Sequence, residues 1–317
     1  MADVTPLAGL PTIDLPLGEK HQGKVRDWWI VGDRRVIVTT DRLSAFDRVI
    51  ATIPYKGQVL NRLAAWWFER TSDIVANHVV SVPDVNTMVC RNARPWPVEM
   101  VIRGYITGVT STSLWHNYEK GERTIYGLAF PDGLKKNQRL PEAVITPTTK
   151  AASGAHDERL TREQILQQNL VPEDVYLQME AATRGLFQRG TELAGQRGVI
   201  LVDTKYEFGD VDGQLVVIDE VHTPDSSRFW LAESYEERFR DGREPETFDK
   251  EIIRRWLAAR GYTGDGEPPD IPAELCSEMA RVYVDAFERI TGEEFVPARG
   301  DPTDRICNAL KGEGLIE

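Results

Sequence analysis

Lys205, Glu207 and Asp219 are the residues whose types and spacing best suit chemistry on phosphate. They lie in Leu201-Val-Asp-Thr-Lys-Tyr-Glu-Phe-Gly209 and Val217-Ile-Asp-Glu220. Two apart on a strand, Lys205 and Glu207 share a face. The connection Asp210-Val-Asp-Gly213 decides where Asp219 points. A three-residue loop with Gly213 left-handed sets Asp210 opposite Gln214, Glu207 opposite Val217 and Lys205 opposite Asp219. It leaves Tyr206, Phe208, Val216 and Ile218 on the other, apolar face, and it is therefore the expected register. A two-residue loop would shift the pairing by one and turn Asp219 away. In the expected register two carboxylates and a lysine stand together, and carboxylate oxygens beside phosphate suit magnesium. The same pattern also fits a solvated face with a cross-strand ion pair.

The hairpin leads straight into Val221-His-Thr-Pro-Asp-Ser-Ser-Arg-Phe-Trp230, which puts Asp225, Ser226, Ser227 and Arg228 in one polar loop. Arginine offers a planar fork for phosphate or carboxylate, and hydroxyls add donors. A capped turn is the alternative; the position after a carboxylate pair favours anion recognition. Gly23-Lys-Val-Arg-Asp27 sets Lys24 and Arg26 on one face, over ATP phosphates or along a surface strand. It is neither a Walker A nor a GxGxxG pattern. Asp41, Ser44 and Asp47 stand at helical or turn spacing, as helix caps do. Thr146-Pro-Thr-Thr-Lys150 and His156-Asp-Glu158 bracket Gly154 with a set that fits a zwitterion such as an amino acid, or a plain polar loop. His156 has no partner at zinc-ligand spacing.

These groups need a scaffold. Val25 to Val31 and Arg35 to Thr40 read as strands around Gly32-Asp33. Asn61 to Arg70 reads as a helix, and Val98 to Ile106 as a strand entered through Pro95-Trp-Pro97. Thr161 with Gln164 makes a capping box. Pro172 suits the first position of a long helix carrying Val175, Met179, Ala182, Leu186 and Leu193 and ending near Gly198. From Asp249 onward amphipathic helices alternate with Gly/Pro breaks. The expected class is α+β, with antiparallel sheets and a helical C-terminal section. The expected division is 1–97 as a β-rich nucleotide lobe, 98–248 as a second lobe with the metal and substrate site, and 249–317 as helices packed on that second lobe.

The bulk numbers set limits. No apolar run approaches the ~18 residues of a membrane span. Met1 to Glu19 is acidic and proline-rich, without the basic and apolar regions of a secretory leader. Cys90, Cys276 and Cys307 form neither a disulfide framework nor a CxxC site, so a reducing, cytoplasmic compartment is expected. The net charge of −12 in 317 residues argues against a nucleic-acid surface. It is compatible with small anions held by local cations in a cleft. Oligomeric state is left open, a homo-oligomer included.

Eight segments together resemble the SAICAR synthetase family. They are Gly23–Asp27, Asp41–Asp47, Lys56-Gly-Gln-Val-Leu-Asn61, Glu99-Met-Val-Ile-Arg-Gly-Tyr-Ile-Thr-Gly108, Thr146–Lys150, His156–Glu158, Leu201–Gly209 and Asp219–Trp230. The resemblance implies a two-lobed, kinase-like or ATP-grasp-like architecture. It implies an ATP- and magnesium-dependent ligase of purine biosynthesis that joins L-aspartate to the carboxylate of an imidazole ribonucleotide. It places ATP near Lys24, Val25, Arg26, Arg91, Ala93 and Glu99, the metal on Glu207 and Asp219, and Lys205 beside them. Ribonucleotide contacts fall on Arg103, Asp225, Ser227, Arg228 and a serine after Gly108. Aspartate falls near Lys150, His156 and Asp157. Many members read Thr-Gly-Ser-Ala-Trp where this chain has Thr107-Gly-Val-Thr-Ser-Thr-Ser-Leu-Trp115, so the serine is Ser111 or Ser113; the spacing to Trp115 favours Ser113.

A small-molecule kinase could share these parts, and would make a stable phosphorylated product without aspartate. A non-catalytic nucleotide binder would lack the metal acids or the loop cations, which are present here.

Overall fold

A computed structural model describes residues 9–46, 48–150, 157–264 and 266–317. The first part of the chain builds β1 (His21–Gln22), β2 (Arg26–Val31), β3 (Arg34–Thr39), β4 (Arg42–Ala45), β5 (Arg48–Thr52), α1 (Lys56–Arg70), β6 (Val79–Asp84) and β7 (Thr87–Arg91). β1, β2, β3, β7 and β6 form one antiparallel sheet in that order, and β4 and β5 pair as a ribbon. Alternation along β2 and β3 sorts this sheet into two faces. Trp29, Val36 and Val38 point into a core with Leu10, Ile13 and Leu15. Arg26, Trp28, Arg35 and Ile37 line a cleft.

The second part holds β8 (Arg94–Ile106), α2 (Leu114–Glu119), β9 (Thr124–Ile125), β10 (Leu128–Ala129), β11 (Gln138–Ile145), β12 (Thr148–Thr149), α3 (Arg162–Gln167) and α4 (Glu173–Gly195). It continues with β13 (Val199–Val211), β14 (Gln214–Ile218), β15 (Ser227–Leu231) and α5 (Ala232–Arg240). β9 and β10 pair alone; the other strands form a six-stranded sheet centred on β8 and β13. The Thr161 capping box forms. Pro172 is the N-cap of α4 rather than its first residue. α4 buries Tyr176, Met179, Ala182 and Leu186 at helical spacing, in one cluster with Tyr206 and Phe208 of β13. Each such burial contributes roughly 1.5–3 kcal/mol for a large apolar side chain.

Further sequence expectations are corrected. The β13–β14 hairpin turns through two residues, with Asp212 (φ 54°) and Gly213 (φ 82°) both left-handed. Glu207 therefore pairs with Ile218, one residue off the expected register. An Asp-Gly pair favours this tight turn, whose twist matches the strands. The Asp41 segment is extended, not helical: Asp41 precedes β4 and accepts from the Gly57 amide at 2.7 Å, so it serves the start of α1 from a distance. The same segment's Asp47 lies outside the described residues. Finally, the C-terminal helices α6 (Glu251–Ala258), α7 (Ala273–Thr291) and α8 (Pro302–Gly312) do not all pack on the second lobe. α8 covers the first sheet through Ile306 and Leu310, because that sheet's apolar face needs a lid. The expected boundary at residues 97 and 98 falls inside β8, which passes unbroken along the cleft.

Candidate active site

β13 and β8 present one polar face to a cleft of about 740 Å³ between the two sheets. Their register sets Asp203 opposite Arg103, Lys205 opposite Val101 and Glu207 opposite Glu99, and all six line the cleft. Lys205 donates to Glu99 at 3.0 Å and to Glu207, and Lys150 also donates to Glu207. Asp219 follows β14 with φ 67°, a left-handed turn that returns its carboxylate to this face. Its Oδ2 lies 4.0 Å from Lys205 Nζ. Arg26, reaching across from β2, donates to Asp219 at 2.9 Å and to Glu220 at 2.7 Å.

The electrostatics follow from crowding. Burial works against the Glu207 charge, but Lys205 and Lys150 win and hold its pKa well below the usual value. Asp219 goes the other way: burial raises its pKa, Arg26 opposes, and Glu207 and Glu220 add to the rise. Burial also raises Glu99, despite Lys205. Burial would lower Lys205, yet Glu207, Glu99 and Asp219 hold it well above the ordinary lysine value. Four acids here thus share three cations, a surplus of negative charge made wholly of oxygen donors.

The opposite end of the cleft is cationic. Arg103 and Arg228 converge on one oxygen of Asp203, at 3.5 and 2.6 Å. Arg103 also donates to Thr146 Oγ1 at 2.8 Å, which fixes the plane of its fork. Burial would lower Arg228, but Asp203 and Glu251 keep it firmly charged. Ser226, Lys250 and Arg254 line the cleft with them. Burial pushes Lys250 down to about 8, against the pull of Asp225 and with help from Arg254. Such a group binds anions at neutral pH and gives up its proton readily.

Lys24, Val25, Arg91, Ala93 and Asp157 also line the cleft. Ala93 and Ile218 give the cleft an apolar wall suited to a planar base, backed by the buried Val216. Ser227 lines the cleft and donates to Thr204 at 2.8 Å. Neither Ser111 nor Ser113 is among the lining residues. Ser111 is exposed, and Ser113 is buried with its hydroxyl donated to the Thr110 carbonyl at 2.6 Å. Ser113 sits against Gly108 (φ 94°), where a Cβ would come within 2.5 Å of its own. The hydroxyls this segment gives the cleft belong to Thr110 and Thr112. His156 lies outside the described residues.

Sequence reasoning assigned no site role to Lys56, Asp203, Lys250, Arg254 or Tyr283. Lys56 opens the Lys56–Asn61 segment, and the structure buries it against Asp225 at 2.8 Å. Asp203 was two residues from Lys205 on the same strand, and period-two spacing alone could have found it. Tyr283 carried no local signal.

The full sequence matches the family described as SAICAR synthetase over residues 19–269. The chain belongs to the SAICAR synthetase family. It is a ligase of purine biosynthesis. It is 50% identical over 279 residues to a putative phosphoribosylaminoimidazole-succinocarboxamide synthase 2 of Agrobacterium fabrum, covering 87% of this chain and 88% of that one. It is 47% identical over 306 residues to the Legionella pneumophila synthase of that name, covering 95% and 97%. A solved SAICAR synthase from Saccharomyces cerevisiae, in complex with SAICAR, superposes with a TM-score of 0.76 at 31% identity, over 90% of this chain and 99% of that one. The two-lobed α+β architecture is thus the family's. Among the described residues no helix is long and apolar enough to cross a membrane.

Proposed function

We propose that this chain uses ATP to condense L-aspartate with the carboxylate of 5-amino-1-(5-phospho-D-ribosyl)imidazole-4-carboxylate, giving SAICAR, ADP and phosphate in the cytoplasm. The observation that carries the reading is the Lys205 bridge from Glu207 toward Asp219, on the same sheet and in the same cleft as an arginine pair, in a member of this family.

The residues divide the work by charge. Arg26 and Lys24 lie over the ATP phosphates, and the apolar wall of Ala93 and Ile218 takes the base. Arg103 and Arg228 turn their forks to the ribonucleotide's phosphate and carboxylate. Lys150 and Asp157 face the amino acid. A free carboxylate does not yield an amide with an amine in neutral water, so it is first activated. The γ-phosphoryl group passes to a carboxylate oxygen and ADP leaves. The aspartate nitrogen then attacks the acyl carbon, inorganic phosphate departs with that oxygen, and the amine loses a proton. No covalent protein nucleophile is needed; positioning and charge neutralisation suffice. Lys205 and Arg26 offset charge as the phosphoryl group moves.

Magnesium fits the acidic end. Among the described residues no group of three or more His, Cys, Asp and Glu can hold a metal by itself. Two carboxylates with surplus negative charge are what magnesium takes when substrate phosphates and water complete its shell. Glu207 and Asp219 would hold it, and bound there it would neutralise phosphate oxygens.

The test is an omission assay with purified protein, ATP, magnesium, the ribonucleotide carboxylate and aspartate. Succinocarboxamide and ADP should appear only with all four present. A stable phosphorylated product formed without aspartate would support a kinase instead.

A further inference from the structure

We propose that Tyr283, on α7, is a positioning residue for ribonucleotide binding: with Lys56 it holds the Asp225 carboxylate as an acceptor on the cleft wall. The inference rests on the ligase reading and deepens it. It gives a site role to a helix beyond residue 269, where the family match ends.

The Tyr283 hydroxyl donates to Asp225 Oδ1 at 2.6 Å, and Lys56 Nζ donates to Oδ2 at 2.8 Å. The lysine nitrogen also stands 5.4 Å from the centre of the tyrosine ring. Lys56 and Tyr283 are 0% exposed, and Asp225 is 9% exposed. The three come from the start of α1, the loop before β15 and the middle of α7. Each carboxylate oxygen is gripped once and keeps a further lone pair. Asp225 lines the cleft beside Ser226, Ser227 and Arg228. Clamped in plane and kept ionised, it can accept from an N–H or O–H donor of the ribonucleotide.

A purely structural role explains this arrangement poorly. A buried ion pair is often no more stabilising than apolar packing of the same volume. Burial works against the Asp225 charge, and Lys56, Lys250 and the Tyr283 hydroxyl together hold its pKa below the ordinary carboxylate value. Phenylalanine would fill the Tyr283 site equally well; what the hydroxyl adds is the orientation of one carboxylate at a cleft.

The experiment compares the full-length wild type, Tyr283→Phe, Asp225→Asn and the double variant. It reads the melting temperature and the KM for ribonucleotide, ATP and aspartate. Tyr283→Phe should remain folded and raise the ribonucleotide KM about tenfold, as loss of a hydrogen bond to a charged group does. The ATP KM should stay unchanged, and Tyr283→Phe should add nothing in the Asp225→Asn background. An unchanged ribonucleotide KM, an equal change in all three values, or additive effects would overturn the proposal. Should Tyr283→Phe lose its fold, Lys56→Arg is read by the same split, a selective ribonucleotide effect supporting the proposal and an unchanged value overturning it. Wild type that makes no succinocarboxamide would defeat the ligase reading. Wild type that turns over while Tyr283→Phe matches it would defeat the positioning role alone.

Discussion

Asp219 Oδ2 lies 4.0 Å from Lys205 Nζ, although the strand register alone would turn these two side chains to opposite faces. The left-handed backbone at Asp219, φ 67°, ends β14 and swings the carboxylate back to the cleft. Aspartate and asparagine are the non-glycine residues that tolerate this conformation best. The position thus combines a backbone requirement with a chemical one.

Asp219→Asn separates the two. Asparagine keeps the shape and the left-handed turn but removes the charge that faces Arg26 and Lys205. Turnover should fall at least about a hundredfold, the scale of losing one electrostatic contact in a phosphoryl-transfer site, while the melting temperature changes little. Near-normal ATP-dependent activity would remove Asp219 from the proposed metal pair.

Arg228→Lys keeps a positive charge beside Asp203 but loses the fork. Ribonucleotide affinity, measured by calorimetric titration, should weaken about tenfold while nucleotide affinity holds. Unchanged ribonucleotide affinity would take Arg228 out of the site.

Lys250, pushed down to about 8 by burial, gives a pH signature. Below pH 8 it is charged, so ribonucleotide kcat/KM should fall as pH rises through 8. Stability should move the opposite way. The unfolded lysine titrates near 10.5, so between pH 8 and 10.5 the unfolded state binds more protons and stability rises with pH. Lys250→Met should flatten both dependences; a basic limb that survives in this variant belongs to another group.

Gly190→Ala tests the support behind the loop. Propensity alone would gain up to ~1 kcal/mol in the middle of α4. The added Cβ, however, would lie 2.4 Å from His222 Cε1. His222 cannot retreat easily: it bonds the Tyr206 hydroxyl, and its ring stands nearly perpendicular to that of Trp67 with the centroids 4.5 Å apart. Overpacking costs about 1–3 kcal/mol, so the clash wins and the variant should melt several degrees lower.

Much of the site was legible because strand periodicity is local. Lys205 and Glu207 had to share a face, and Arg228 had to follow them closely. Asp219 was placed beside Lys205 by a wrong route: the three-residue loop gave way to an Asp-Gly turn, and a left-handed residue restored what the register had taken away. Such a φ value leaves little trace in sequence beyond the tolerance of aspartate for it. The serine after Gly108 was sought by spacing, but close packing on the glycine buries Ser113 and hands the cleft to Thr110 and Thr112. Lys56 and Tyr283 meet Asp225 from 169 and 58 residues away, and no periodicity encodes a contact of that range. The apolar stripe of α8 showed that it must pack, without showing on which sheet.

The claim that everything depends on is activation of the ribonucleotide carboxylate by phosphoryl transfer in this cleft. Ribonucleotide labelled with oxygen-18 in its carboxylate, incubated with ATP, magnesium and aspartate, tests it directly by mass spectrometry of the released phosphate. One labelled oxygen should appear in phosphate for each succinocarboxamide formed. Unlabelled phosphate accompanying the same product would contradict it.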